Sequence, residues 1–279
     1  MKSTRITTGL TVVIPTTGAR ASLADSIASA KGALAHLPCL TQVIVVQDST
    51  VLNLSRRIAR SADRALCTGE RVGVAGARNL GASVTETSHV LFLDDDDTLF
   101  TEAFHGLDLK GDWDINIGRA ILRHARYPLV PDIDWPHNHE QLLLLTAANQ
   151  FVIHSAVLRR ETVQYTPFNT RLPALEDWEF FLRCRKANYT FAFQDVDRAV
   201  YTWGSTMVAM LSNEPLRDMS ALVRRIRREH TSPHERSLVR EAIRAFSQFE
   251  ASKNTQDLRL PDYCQLIRNM SCSPSDTKA

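Results

Sequence analysis

Four consecutive aspartates, Asp94 to Asp97, follow directly on the apolar run of HVLFLDDDDTL. Carboxylates held so close repel one another, and a divalent cation relieves that repulsion. Hard oxygen donors suit Mg²⁺ or Mn²⁺. The plainer reading is a solvated acidic turn, with Asp97 capping a helix from Thr98 onward. Position at the carboxyl end of an apolar strand favours the metal site. A second acid, Asp48, closes the apolar run of QVIVVQDST. A carboxylate there can accept the imide N–H of a uracil or a ribose hydroxyl, or it can open an Asx turn into the next helix.

The segment GVAGARNLGA has glycines at 73, 76 and 81, which miss the G-x-G-x-x-G spacing of dinucleotide-binding turns. Arg78 and Asn79 lie early in its helix, where a cation and an amide can meet phosphate and ribose, or lie on an ordinary amphipathic surface. In FNTRLPALEDWEFFLRCRK, Pro173 precedes a helix whose first turn carries Glu176 and Asp177. The helix dipole favours acids there by ~0.3–1 kcal/mol, which alone accounts for the pair. His137, His139 and Glu140 sit in a proline-rich stretch and read as a polar loop rather than a second metal site.

The elements that must position these residues are short. Thr11–Pro15, Gln42–Val46 and His89–Leu93 read as strands buried on both faces, with a weaker strand at Ala65–Cys67. Between them, Ser22–His36, Val51–Arg60 and Ala75–Thr85 are helical in length and composition. Such alternation predicts an α/β fold with a mainly parallel central sheet, right-handed crossovers and ligands beyond the carboxyl ends of the strands. Further on, the pattern predicts one or two strands in WDINIGRAIL, a loop over Arg126–His139 and an apolar core run at Leu142–Leu145. Then come a strand over Gln150–His154, a helix over Glu176–Ala187, and late strands at Phe191–Gln194 and Ala199–Tyr201. Two amphipathic helices follow between Leu216 and Phe249, split near Ser232 and Pro233, with a disordered tail from about Ser271.

The 279 residues are 44% hydrophobic and carry a net charge of +2, which fits a globular core and gives no global signal for nucleic acid. Five cysteines form no C-x-x-C pair and read as free thiols of a reducing compartment. The opening residues lack a secretory apolar region, and no stretch approaches the ~20 apolar residues of a membrane span. The expectation is a soluble cytoplasmic protein. Arginines flank an apolar stripe from Leu216 to Ile226, so that helix can pack on the rest of the chain or lie on the inner face of a membrane as a peripheral contact.

Taken together, these segments resemble glycosyltransferase family 2. TVVIPTTGAR is similar to its opening strand, and VIVVQDST to its V-V-D-D-x-S segment, with Gln47 in place of the first aspartate and Asp48 matching the second. GVAGARNLGA is similar to G-x-x-x-A-R-N-x-G, and FLDDDD to the F-L-D-x-D-D form of the D-x-D motif. FVIHSAVLRRE is similar to the stretch before the acceptor site, and PFNTRLPALEDWEFFLRC to the F-D-E…E-D-W segment. The resemblance covers roughly residues 10–205.

It implies a GT-A type domain over 1–205, with a nucleotide-sugar-binding half at about 10–120 and an acceptor-side half at 121–205. A C-terminal helical extension over 206–270 and a tail at 271–279 would follow. It implies an inverting, metal-dependent enzyme that moves a sugar from a nucleotide diphosphate sugar, UDP-sugar first, to a saccharide, lipid-linked or small-molecule hydroxyl. The donor would meet Pro15, Thr16, Thr17, Asp48, Arg78, Asn79, Asp94, Asp95 and Asp96. Asp94 and Asp96 would hold Mn²⁺ or Mg²⁺, and Asp177 would be the catalytic base. His154, Glu176 and Trp178 would face the acceptor. Two rivals stand beside this reading. Asp94-x-Asp96-x-Thr98 also satisfies the D-x-D-x-T signature of haloacid-dehalogenase-like phosphatases, with Asp94 as nucleophile. The other rival is a non-catalytic nucleotide-binding relative.

Overall fold

The computed structural model describes residues 6–124, 127–130, 142, 145, 151–203, 216–233, 235, 236 and 240. Its strands are β1 (Thr7–Thr16), β2 (Leu40–Gln47), β3 (Arg64–Cys67), β4 (Thr87–Phe92), β5 (Thr98–Leu99), β6 (Ile115–His124), β7 (Tyr127–Val130), β8 (Ala156–Arg159) and β9 (Phe191–Trp203). The helices are α1 (Leu23–Leu34), α2 (Arg56–Ser61), α3 (Gly73–Val84), α4 (Arg160–Tyr165), α5 (Glu176–Lys186) and α6 (Leu216–His230).

Two compact units result: residues 1–120 with 151–202, and residues 121–150 with 203–279. In the first unit the strands run in the order β3-β2-β1-β4-β8-β6-β9-β5. The first four are parallel, with Val12 opposite Val43 and Val13 opposite Phe92. The expected parallel sheet is therefore realised up to Phe92. Beyond it, β8 runs antiparallel to β4 and β6, and β5 antiparallel to β9. The chain builds outward from β1 through β2 to β3, then returns to place β4 on the other side of β1. That reversal leaves a crevice beyond the carboxyl ends of β1 and β4, where open α/β sheets bind ligands.

Strand interiors such as VVIP and VIVV are wholly buried because helices cover both faces. On one face Leu23, Ile27, Ala30 and Leu34 of α1 join Leu10, Val12, Ile14, Val43 and Val45 in a single core. α3 meets the sheet through Gly81, where a Cβ would lie 2.3 Å from Val13 Cγ1, so only glycine permits that approach. Inside the sheet, Arg198 of β9 is fully buried, and its five N–H bonds donate to neutral oxygens of Ala103, Asn116, Ser155 and Gln194. Burial without a carboxylate partner lowers its pKa to about 9.

Several local expectations shift. α2 begins at Arg56, where the Ser55 hydroxyl caps it by accepting from Ile58 N–H, while Val51 and Leu52 are exposed. Residues Ile153–Ser155 form a 3-10 turn rather than a strand, and the strand begins at Ala156. Thr98 starts a strand and not a helix, so Asp97 caps nothing. The two late strands are one, β9. Cys39, Cys67 and Cys184 are free thiols.

In the second unit the outer end of β6 pairs antiparallel with β7, Leu122 opposite Val130. Leu142 and Leu145 are buried, as a core run requires. In α6, Leu222 and Ile226 are buried while Arg224, Arg225 and Arg228 are exposed. Among the described residues, no helix is long and apolar enough to cross a membrane. His137, His139, Glu140 and the C-terminal tail lie outside the described residues.

Candidate active site

The crevice beyond β1 and β4 collects most of the acids and cations singled out above. Strand β4 ends at Phe92, and Leu93 N–H still bonds to Val13 O, which carries the chain rigidly into Asp94. At its core lies Arg78, whose side chain is 3% exposed. Its guanidinium donates to Asp94 Oδ1 at 2.8 Å and to Glu176 Oε1 at 2.7 Å, and it lies 5.5 Å from the Phe168 ring centroid. Burial opposes this charge, but Asp94, Glu176 and Asp177 together raise its pKa above the usual value. For Asp94, burial pushes the pKa upward, yet Arg78, His154 and Arg20 outweigh it and keep the carboxylate ionised. An arginine on α3 thus ties the acidic run to the E-D segment of α5.

Asp95 turns inward. Its carboxylate accepts from Thr16 Oγ1 at 2.5 Å, and its backbone carbonyl accepts from Ser22 Oγ at 2.8 Å. Gly18 N–H in turn bonds to Thr16 Oγ1 at 2.8 Å, so the end of β1 and the acidic run brace each other. Pro15 is buried in the strand, whereas Thr17 is exposed at its mouth. Asp96 points outward, its side chain 26% exposed, and forms an ion pair with Arg20; the same guanidinium lies 3.2 Å from Asp95. Sequence reasoning missed Arg20, although it stands in TTGAR immediately after β1.

Asp97, read from the sequence as a possible helix cap, and His154, read as an acceptor-side residue, come together behind Asp94. Asp97 is 1% exposed and accepts from Thr202 N–H at 2.6 Å through Oδ1. Among the described residues, its Oδ2 has no hydrogen-bond partner, and neither ring nitrogen of the buried His154 has one. Nε2 of His154 lies 3.3 Å from that oxygen without hydrogen-bond alignment. Burial, then the Asp94 charge, raise the Asp97 pKa to about 8, and burial lowers that of His154 to about 4. Asp94, Asp97 and His154 each offer a donor atom, all within 4.8 Å of one another. Orphaned buried donors beside an ionised, 33%-exposed carboxylate are the chemistry of a cation site, so these residues fit a divalent metal.

The remaining residues separate into those held by structure and those left open. Asp48 caps the start of α3: Oδ1 accepts from Val72 N–H at 2.7 Å and Oδ2 from Gly73 N–H at 3.2 Å. Oδ1 also accepts from Thr68 Oγ1 at 3.3 Å, so Oδ2 is the oxygen with a lone pair left for a base. Asn79 borders a cavity with Thr68, Arg71, Val72 and Thr170. Its amide makes two bonds to the Phe168 backbone, at 2.8 and 2.9 Å, and so anchors the strap before α5. Gln47, which stands where the family pattern has an aspartate, is buried and bonds Thr17 O and both the backbone N–H and side chain of Asn53. It fastens two loops at the mouth. Leu175 takes a left-handed conformation, φ 62°, immediately before α5. A non-glycine residue there is strained, and it aims Glu176 and Asp177 from the helix start. Asp177 is partly exposed, and its Oδ1 accepts from Trp178 N–H, while Trp178 is buried at 2%.

Residues 11–107 match the glycosyl transferase family 2 model. No curated protein matches the sequence. Among solved structures, S. aureus TarS 1–349 in complex with UDP-GlcNAc is similar at TM-score 0.62 and 16% identity, over 94% of this chain and 79% of that one. The same protein in complex with UDP gives TM-score 0.56 and 15% identity, covering 94% and 80%. Against the longer S. aureus TarS structure the chain spans only 37% of the other protein's length, at TM-score 0.55 and 14% identity. The shared architecture is that of GT-A glycosyltransferases.

Proposed function

Residues 11–107 belong to glycosyl transferase family 2, and on that premise we propose that the protein transfers a sugar from a nucleotide diphosphate sugar to an acceptor hydroxyl, by single displacement with inversion. The observation that carries this reading is the Arg78 bridge between Asp94 and Glu176 at the sheet's reversal point. It brings the acidic run and the E-D segment to one place, which neither a phosphatase nor an idle binding domain requires. A UDP-sugar is the first choice of donor, because Asp48 Oδ2 keeps a free lone pair beside a cavity and the similar TarS was solved with UDP-GlcNAc.

In this reading the nucleotide lies beyond β1 to β3, with Thr16 and Thr17 at its edge and Asp48 toward the base. Arg78, Asp94 and Asp96 face the diphosphate end. Asp94 would hold Mn²⁺ or Mg²⁺ with Asp96 on its solvent side and Asp97 and His154 on its buried side, and the ion would offset charge building on the leaving diphosphate. Arg78 stays charged in its buried place and stabilises the same charge. Asp177, aimed from the start of α5, takes the proton of the acceptor hydroxyl; general-base help of this kind is worth about 10²–10⁴ in rate. Glu176 fixes Arg78, and buried Trp178 and His154 back the acceptor side. The buried stripe of α6 leaves arginines rather than apolar residues to solvent, which supports packing over membrane insertion.

A thermal-shift screen of UDP-, GDP- and dTDP-sugars, each with and without Mn²⁺, tests the proposal. Stabilisation by one donor class, strengthened by Mn²⁺, is the expected result. No shift with any donor, together with hydrolysis of an aryl phosphate, would replace it by the phosphatase reading.

A further inference from the structure

We propose that Asn79 is a positioning residue for Asp177 and not a donor contact: together with Arg78 it fixes the direction in which the start of α5 points. The inference rests on the reading of Asp177 as the base that takes the acceptor proton. Asn79 follows Arg78 in α3, and these two consecutive side chains hold both ends of the strap from Phe168 to Glu176.

Both ends of the Asn79 amide are engaged. Its Nδ2 donates to Phe168 O at 2.9 Å, and its Oδ1 accepts from Phe168 N–H at 2.8 Å, across 89 residues of chain. A side chain that exchanges both bonds with one backbone residue repeats the hydrogen-bonded pair of an antiparallel ladder. It therefore sets the orientation of that residue as well as its distance. Phe168 passes the constraint on. It is 2% exposed, and its ring stacks on Phe180 of α5 with centroids 4.5 Å apart and meets Phe92 of β4 edge-on at 5.1 Å. The Pro167 carbonyl just before it accepts from Arg183 of α5 at 2.7 Å.

Helix α5 thus has two attachments to α3. Glu176 meets Arg78 at 2.7 Å, and Phe180, one turn later, meets Asn79 through Phe168. One attachment alone lets a helix pivot about it, and a second one a turn away removes that freedom. Asp177 lies between them, at the helix start where Leu175 holds φ at 62°. Misplacing a reacting group by about 1 Å can cost about 100-fold in rate, so the Asn79 amide bears on turnover from outside the reacting atoms.

Because Asn79 also borders the cavity beside Asp48, donor affinity decides between positioning and direct contact. The test is calorimetric affinity of the full chain for UDP with Mn²⁺, set beside release of UDP, with water as acceptor, from UDP-GlcNAc or the UDP-sugar of largest thermal shift. In Asn79→Ala the affinity should stay within about twofold, and kcat should fall about tenfold or more. Asn79→Asp keeps only the bond from Phe168 N–H, and its kcat should fall between that of Asn79→Ala and the parent's. Ser83→Ala, on the exposed side of α3, should match the parent in both. Affinity and kcat falling together, or an unchanged kcat in Asn79→Ala, overturns the proposal. Native-state amide exchange of the parent needs no variant to fold: the bonded N–H groups of Phe168 and Glu179 should open as one unit. Exchange about tenfold or more faster at Phe168 than at Glu179 overturns the tether. A parent that releases no UDP removes the transferase reading while exchange still judges the tether, and normal turnover in Asn79→Ala removes this inference alone.

Discussion

Arg78 and Glu176 stand 98 residues apart in the chain and meet at 2.7 Å inside the crevice, with the arginine almost wholly buried. The pair is a joint between α3 and α5, and the second arm of the same guanidinium reaches Asp94. Removing one member of such a group strands the other charges, which typically costs about 3–5 kcal/mol. Asp94 is one-third exposed, so Arg78→Met should destabilise the fold by somewhat less, about 2–4 kcal/mol, measured by urea unfolding. Unchanged stability would mean the joint carries little.

Asp177→Asn keeps the size of the side chain and much of its hydrogen bonding but cannot accept a proton. Donor and metal affinity should stay near the parent's, and transfer should fall by about two orders of magnitude or more. Affinity and turnover measured on the same preparation separate this from a helix-start acid, whose loss would cost a little stability and leave the rate nearly untouched.

Asp96 lies at the outer edge of the acidic run against Arg20. Asp96→Ala should leave the unfolding free energy within about 0.5 kcal/mol of the parent, as for most surface substitutions. Mn²⁺-dependent nucleotide binding should disappear in calorimetry. A variant that binds donor and Mn²⁺ together as the parent does would remove Asp96 from the donor site.

His89 sets a pH dependence that has nothing to do with chemistry at the crevice. It is buried in β4, tilted against Trp113 with ring centroids 5.0 Å apart, and its Nε2 lacks a partner. Burial first, then the Arg159 charge, lower its pKa to about 4 from 6.5. The unfolded chain therefore binds a proton that the folded one refuses between those values. Stability from this group is fully present above pH 6.5 and falls as pH drops toward 4, by on the order of 3 kcal/mol. His154 is depressed over the same window, so His89→Gln should lessen that slope by about half in unfolding experiments between pH 7 and 4. An equally steep slope in the variant would assign it elsewhere.

The sequence by itself determined the first half of the fold. VVIP, VIVV and HVLFL are apolar on both faces, and that pattern has one stable home, a parallel sheet covered by helices. It also determined that acids follow these strands, since Asp48 stands directly after β2 and Asp94 two residues after the end of β4. Local signals resolved less where burial and pairing part company. Phe151 and Ile153 are buried by neighbouring elements although they belong to no strand, so their apolarity was read one turn too early as β-structure. Only the tertiary structure decided which acids work together. Asp97 meets Thr202 across 105 residues, Arg78 meets Glu176 across 98, and Thr16 meets Asp95 across 79. Within a run of four identical carboxylates, sequence cannot say which turns outward to Arg20, which braces β1 and which faces a histidine. Alternation along the turn after β4 assigns those directions, and what lies opposite each is set by β1, α5, β9 and the turn at His154.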